Sequence, residues 1–378
     1  MTDALGMIDG KHLPDLLAKF RQNPNVELSH DELDTLQTAS MSDVWAAKAI
    51  ALHYAKLNDF SKVLTPGEKV AKDEPTSENL INLAVTYRGL RQYSKCIEFL
   101  KHNESRIDPI RFKDLMCSNH AYLGHIGEAI RYGDRALQLK DKGATKSETH
   151  ALLREFNRER RERNIIAFSV WGTELRYLQG ALNNAIVARY LYPSWTARFY
   201  TDGSTPSDFR DALIKNAAQV VLVTDLPAAK YGTVWRFLVE DDESIDFFIV
   251  RDADSVINLK ECWAVTDWLK SRTAFHVMRD DLQHSELMLA GMWGAHRGNI
   301  RQMRKRLMQF FATLPNVGNY LHADQHFLRS VVWPVACRSI IVHDRYFSFG
   351  EPRRYNPDYE LPSRMHIGQN DWAHWRKT

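Results

Sequence analysis

The sequence predicts an α/β domain built on a Rossmann-like, mixed and mostly parallel sheet, preceded by an all-α domain of repeated helices. Three observations carry this. Residues 1–155 are helical in period and repeat at a 33-residue step. From Asn164 onward, short apolar runs alternate with helical segments. Within the fourth such run, FFIVRDADSV (247–256) ends four apolar residues with an arginine and two aspartates separated by one alanine.

Composition sets outer bounds. At 378 residues the chain exceeds one ordinary core, and 44% hydrophobic with 26% charged residues describes a globular protein. No stretch reaches the roughly 20 apolar residues of a transmembrane helix. The first twenty residues lack a basic start followed by an apolar block, so no secretory signal is expected. Cys96, Cys117, Cys262 and Cys337 show no C-x-x-C spacing, which argues against a disulfide framework or zinc knuckle and fits a reducing compartment, the cytoplasm. A net charge of +3 is too small to point to nucleic acid.

In the first part, the 33-residue step links Leu57, Leu90 and Leu123, then Phe60, Tyr93 and Ile126, then Ala51, Ala84 and Cys117. Small residues recur where helices approach closely and large ones where a neighbouring repeat is covered. LAVTYRGLRQYSKCIEFL (83–100) is the best copy; the third is poorer, with Gly133 where a bulky residue is expected. The pattern resembles tetratricopeptide repeats, which implies protein partners or self-association. LREFNRERRERN (153–164), dense in both charges, reads as a solvated helix end, with 156–163 as linker.

The second domain, 164–378, follows in order. IIAFSVW (165–171), TARFYTD (196–202), QVVLVTD (219–225) and DFFIVRDAD (246–254) read as strands. YLQGALNNAIVARYLY (177–192), DFRDALIKNA (208–217) and GTVWRFLVE (232–240) read as the intervening helices. HVMRDDLQH (276–284) is a further strand ending in charge, and ADQHFLRSVVW opens a helix with Asp324 and Gln325. Ligands of such sheets bind beyond the carboxyl ends of the strands, where Asp252 and Asp254 fall. Two carboxylates so close repel unless a cation lies between them, and a hard dication also takes diphosphate oxygen.

The order VWRFL, VRDADSVI, LAGMWG, DQHFL and HIG resembles nucleotide-sugar-dependent glycosyltransferases of the GT-A fold, particularly the family 8 type that includes glycogenin and bacterial lipopolysaccharide galactosyltransferases. The resemblance covers roughly residues 164–370. It implies a nucleotide-diphosphate sugar donor, a glycan or other hydroxyl acceptor, and Mn2+ or Mg2+ held by Asp252, Asp254 and His366. It places Arg236 and Ala253 at the donor. Phe168, Val170 and Gly172 end the first strand, where backbone of such sheets meets base and ribose or simply turns. Because the family's Lys-Pro-Trp is missing, Arg251, Arg279 and Arg297 are the candidate diphosphate clamps. The resemblance also places Asp324 and Gln325 at the reacting centre and Asp280 toward the acceptor. His284 at its strand end is a candidate acceptor contact or part of a solvated loop. Gly291 suits close approach to a sugar or a tight core bend, and Trp293 could stack on a sugar, though a core tryptophan is the more common case. Family 8 leans to retention of configuration, whereas inversion needs only a base such as Asp280 or Asp324. The chain departs from the family at Leu289, where asparagine is usual, and in a shortened HIG followed by Gln369, Asn370, Asp371 and Trp372 instead of Lys-Pro-Trp.

Two rival readings remain at this level. VRDADSV also fits a haloacid-dehalogenase-type phosphatase with Asp252 as nucleophile, although three strands precede it. The repeats also suit an adaptor whose second domain is a degenerate transferase.

Overall fold

The computed structural model describes residues 12–24, 26–144, 151–314, 322–362 and 365–370. The chain divides into two compact units, the first ending at Ala136 and the second beginning at Leu137.

The first unit holds helices α1 (His12–Gln22), α2 (His30–Ala39), α3 (Val44–Lys56), α4 (Phe60–Asp73), α5 (Ser77–Gly89), α6 (Tyr93–His102), α7 (Pro109–Tyr122) and the start of α8 (Ile126–Lys142). The 33-residue step survives as geometry. Helices α4, α6 and α8 begin at Phe60, Tyr93 and Ile126, and Leu57, Leu90 and Leu123 end the helices before them. The next residues, Asn58, Arg91 and Gly124, turn the chain with φ of 56°, 58° and 74°. Asp43, Thr76 and Asp108 cap the N-termini of α3, α5 and α7. Gly89 is required by contact: a Cβ there would lie 2.4 Å from the Phe60 ring. Leu57 is 63% exposed, so this repeat position faces solvent instead of a neighbour.

The division between units lies inside α8, upstream of residue 155 where the composition changes. Residues 153–163 are largely solvent-exposed, as expected, but they are not a helix end: the segment is irregular up to a 3-10 turn at Arg161–Arg163. Phe156 packs against Trp195 and Phe247, and Arg154 and Arg163 both pair with Asp246. Their apolar and charged partners all lie on the α/β unit, out of reach of a local reading.

That unit is a seven-stranded sheet of β1 (Asn164–Ser169), β2 (Thr196–Thr201), β3 (Gln219–Leu222), β4 (Phe247–Arg251), β5 (Phe275–Arg279), β6 (Met292–His296) and β7 (Ile340–Asp344). The order is β3-β2-β1-β4-β6-β5-β7, and β6 alone among these strands runs antiparallel. The mixed, mostly parallel sheet is thus as predicted. Helices α9 (Leu175–Leu191), α10 (Ser207–Lys215), α11 (Ala228–Tyr231), α12 (Leu259–Ser271), α13 (Met303–Ala312), α14 (Ala323–Phe327) and α15 (Trp333–Ala336) complete it. Strands β1, β2, β4, β5 and β6 are buried at every position, as cover on both faces demands.

Two expected helices differ. Gly232–Asp241 is a 3-10 helix, buried at every residue from Val234 to Glu240, so packing rather than a solvent-facing stripe sets its shape. The helix opened by Asp324 passes through a π-helical turn, Leu328–Val332, before α15. Pro334 has no N–H to offer the carbonyl four residues back, and the ladder widens there.

Glu240, 2% exposed, accepts the N–H groups of Ile300 and Gly298 at 2.6 and 3.0 Å. Burial raises its carboxyl from 4.5 to about 8. Stability from the protonated form is complete below 4.5 and is lost as pH rises toward 8. Glu240→Gln keeps an acceptor oxygen and removes that loss. In urea denaturation it should gain on the parent by about 1.4 kcal/mol per pH unit between pH 6 and 8; parallel pH profiles would refute this.

Candidate functional site

Strand β4 delivers Asp252 and Asp254 to the carboxyl edge of the sheet. Because β6 is antiparallel, its start lies at the same edge, with Met292 opposite Arg251. Gly291 therefore backs directly onto Asp252: a Cβ on Gly291 would sit 1.9 Å from Asp252 Oδ2. Helix α9 presses from the other side. A Cβ on Gly180 would fall 2.3 Å from the Ala253 carbonyl. Asn184 donates to the carbonyls of Ala253 and Ser255 at 3.2 and 3.0 Å and accepts from Ile257 N–H at 3.0 Å. The turn that carries both aspartates is thereby fixed.

Arg236 lies across this turn. Its backbone N–H donates to the Ser169 hydroxyl at the end of β1, and Nη1 reaches Asp252 Oδ1 at 2.5 Å and the Arg251 carbonyl at 2.9 Å. Nη2 stands 3.7 Å from Asp324 Oδ2. One buried guanidinium thus joins the aspartate pair to α14. Asp254 meets Arg176, from the first turn of α9, at 3.6 Å. Burial raises the Asp254 carboxyl, and the Asp252 charge raises it further. Burial also raises Asp324, with Arg236 opposing and Asp252 reinforcing the shift. Gln325 Oε1 is buried without a hydrogen-bond partner.

His366 and His284 form an edge-to-face pair with centroids 4.9 Å apart. The Nδ1 of His366 faces the Ile367 carbonyl at 2.9 Å and must donate, which leaves a lone pair on Nε2. The Nδ1 of His284 accepts the N–H groups of Asp280 and Asp281 at 3.0 and 3.1 Å. Burial, with His366 and Arg279 nearby, lowers His284 to about 3, so it is neutral.

Several sequence assignments change. Arg251, 2% exposed, pairs with Glu261 at 3.0 Å, and Glu261 also accepts from Tyr192; this arginine is turned into the core and away from any phosphate. Arg279 is fully buried on Asp344 at 2.7 Å and binds the carbonyls of Glu286 and Leu287. Arg297 follows β6, whose end pairs with the start of β4, and so lies at the opposite edge. Asp280 is not a free base: it accepts from Lys260 Nζ at 2.7 Å and from Ile367 N–H at 2.9 Å, which ties down the loop bearing His366. Trp293 is a core residue against Phe237 and Phe248 and cannot stack on a sugar. Phe168 stacks on Phe199 within the core, and the backbone groups of Val170 bond to Tyr200 and Thr205. Gly172 has φ of 71° and donates to the Ser204 hydroxyl, which makes it a turn. His284 gives its Nδ1 lone pair to backbone amides, leaving the acceptor no base there.

Sequence reading missed Arg176, Gly180 and Asn184. Their i, i+4, i+8 spacing marks one helix face, but nothing local says that it meets the Asp252–Ser255 turn. A depression of about 850 Å3 lined by Phe156, Tyr192, Trp195, Cys262 and His296 lies at the opposite edge of the sheet, away from these acids. Among the described residues, no three His, Cys, Asp or Glu side chains are gathered into a ready-made cation cage.

Gly291→Ala should place a methyl against the Asp252 carboxylate and displace it from Arg236. The expected result is a fall in turnover of roughly a hundredfold with a modest drop in the unfolding midpoint, because the closest clash is with one half-exposed side chain while the Asp252 backbone nitrogen, at 3.0 Å, must also give. Full activity in this variant would show that Asp252 need not hold its position.

No protein-family model matches the chain, and no curated protein matches it. Among solved structures, an O-GlcNAc transferase variant from Thermobaculum terrenum is similar over 65% of this chain and 47% of its own, at 15% identity and a TM-score of 0.40. The chain thus spans about half the length of that structure. Glucosyl-3-phosphoglycerate synthase from Mycobacterium tuberculosis, in complex with Mn2+, UDP-glucose and phosphoglyceric acid, is similar over 61% of this chain and 76% of its own, at 14% identity and a TM-score of 0.33. A mannosyltransferase from Pyrobaculum calidifontis, in complex with GDP-mannose and Mn2+, is similar over 70% of this chain and 71% of its own, at 14% identity and a TM-score of 0.34. At such identities, none of these similarities assigns a role to a residue of this chain.

Proposed function

We propose that the α/β unit is a metal-dependent glycosyltransferase of GT-A type, moving a sugar from a nucleoside-diphosphate donor to an acceptor hydroxyl. The observation that supports it most is the Asp252–Arg236–Asp324 bridge at the carboxyl edge of the sheet, with Asp254 beside it. Three acids served by two arginines, Arg236 and Arg176, keep a net negative charge that suits a bound dication and its anionic ligand.

Mn2+ or Mg2+ would be held by Asp252, Asp254 and Nε2 of His366. The three side chains are not gathered into a cage in this structure, but each keeps an open donor: the Asp252 side chain is 41% exposed, and hydrogen bonding at Nδ1 of His366 leaves Nε2 able to ligate. When bound, such an ion would supply positive charge to the donor diphosphate and so ease its departure. The chain supplies the rest. Arg236 keeps Asp252 and Asp324 in register, Asp280 anchors the His366 loop through Ile367 N–H, and Gly291 lets Asp252 seat against β6. Asp324 and the unpartnered Gln325 oxygen act at the sugar's anomeric carbon, orienting it and stabilising positive character. The family 8 resemblance favours retention.

The helical pairs of the first unit read as tetratricopeptide-like and would recruit the acceptor, a partner protein or a second copy. Four free cysteines fit a cytoplasmic setting, and among the described residues no helix is long and apolar enough to cross a membrane.

The test is a thermal-shift screen over nucleotide sugars, with Mn2+ and with a chelator. One donor family should raise the midpoint only when metal is present, by mass action on the folded state. Absence of any shift, together with a phosphoenzyme trapped at Asp252, would replace this reading with the phosphatase.

A further inference from the structure

A diphosphate leaving group needs a cation beyond the metal, and none of the three arginines first put forward is free to serve. Arg251 is committed to Glu261, Arg279 to Asp344, and Arg297 stands at the far edge. Arg236 cannot leave without stranding both Asp252 and Asp324.

We propose that Arg176 is the donor-diphosphate clamp: it rests on Asp254 in this structure and passes to phosphate oxygen when donor enters. This rests on the transferase reading above. Arg176, Gly180 and Asn184 share the face of α9 that packs on the Asp252–Ser255 turn, so the guanidinium is carried to that turn by a rigid element. Its contact with Asp254 is loose, at 3.6 Å, and its side chain is 41% exposed against 15% for Asp254. It also meets Tyr177, next along the helix, through the hydroxyl and over the ring face at 4.4 Å. Arg176 also sits in the first turn of a 17-residue helix, where the macrodipole disfavours a cation. The N-cap, Glu174, makes no side-chain capping bond. An anion bound at this edge reverses the sign of that local conflict, since it is attracted by both the helix terminus and the guanidinium. Nearby Arg236, 4% exposed, keeps its Nε–H without an acceptor.

Calorimetric titration of the full chain with UDP, GDP, ADP and CDP, each with Mn2+, tests this, with the monophosphate of whichever base binds as control. Arg176→Gln should weaken diphosphate binding by about tenfold or more and monophosphate binding by less than about twofold. Arg176→Lys should recover part of the loss, because a point charge still meets phosphate without the two-pronged geometry. Mn2+ binding in the absence of nucleotide should persist in both variants. Unchanged diphosphate affinity in Arg176→Gln overturns the assignment, as does an equal loss for mono- and diphosphate, which marks a merely structural arginine. If the parent chain binds no nucleoside diphosphate, the transferase reading itself falls, and the clamp with it.

Discussion

Asp254→Ala is expected to lower metal-dependent donor turnover roughly a hundredfold or more and to leave the unfolding transition in place. The side chain is half-buried, and its ion pair with Arg176 is a loose one, so little native structure depends on it. Its carboxyl is raised by burial and by Asp252, so at rest it is a partly frustrated acid whose charge the proposed dication would satisfy. Removing it relieves that frustration while deleting a metal oxygen. Kinetics across a Mn2+ titration, with thermal unfolding alongside, read both effects. Turnover equal to the parent's at every metal concentration would remove Asp254 from the site.

The largest effect on stability belongs to Arg279→Leu. The guanidinium is fully buried, pairs with Asp344 at 2.7 Å and holds two carbonyls of the β5–β6 connection. Removing one partner leaves Asp344, 1% exposed, with Arg354 only at 4.0 Å and the N–H groups of Tyr346 and Phe347 as its remaining support, a loss of about 3 kcal/mol. Equilibrium denaturation should show it, and Arg279→Lys should restore part of it through Asp344 alone. A loss below about 1 kcal/mol would mean that the pair is reached by solvent. The variant also separates structural from ligand-binding arginines. Arg279→Leu should change stability first, whereas Arg176→Gln should change nucleotide affinity first.

Much of the architecture is written in short-range pattern. The 33-residue step reappears as helix starts at Phe60, Tyr93 and Ile126, and the apolar runs from Asn164 become the strands, although Gly232–Asp241 takes 3-10 form. The strand-end position of Asp252 and Asp254 was also legible, because an apolar run that stops in acids can only leave a buried sheet at its edge. The arginines were read less well. Arg251, Arg279 and Arg297 look alike in sequence, each beside a strand and close to charge.

By itself the sequence determined the two kinds of unit, the order of their elements and the pair of acids at the end of β4, because periods of 3.6 and 2 residues are set by neighbours along the chain. Only the tertiary structure decided which cations serve those acids. The partners that claim Arg251 and Arg279 lie 10 and 65 residues away, and Arg176 meets Asp254 only because β1, which leads into α9, pairs with β4. In a low-dielectric interior an ion pair forms wherever packing leaves two opposite charges together, and that meeting follows from the topology rather than from the residues on either side.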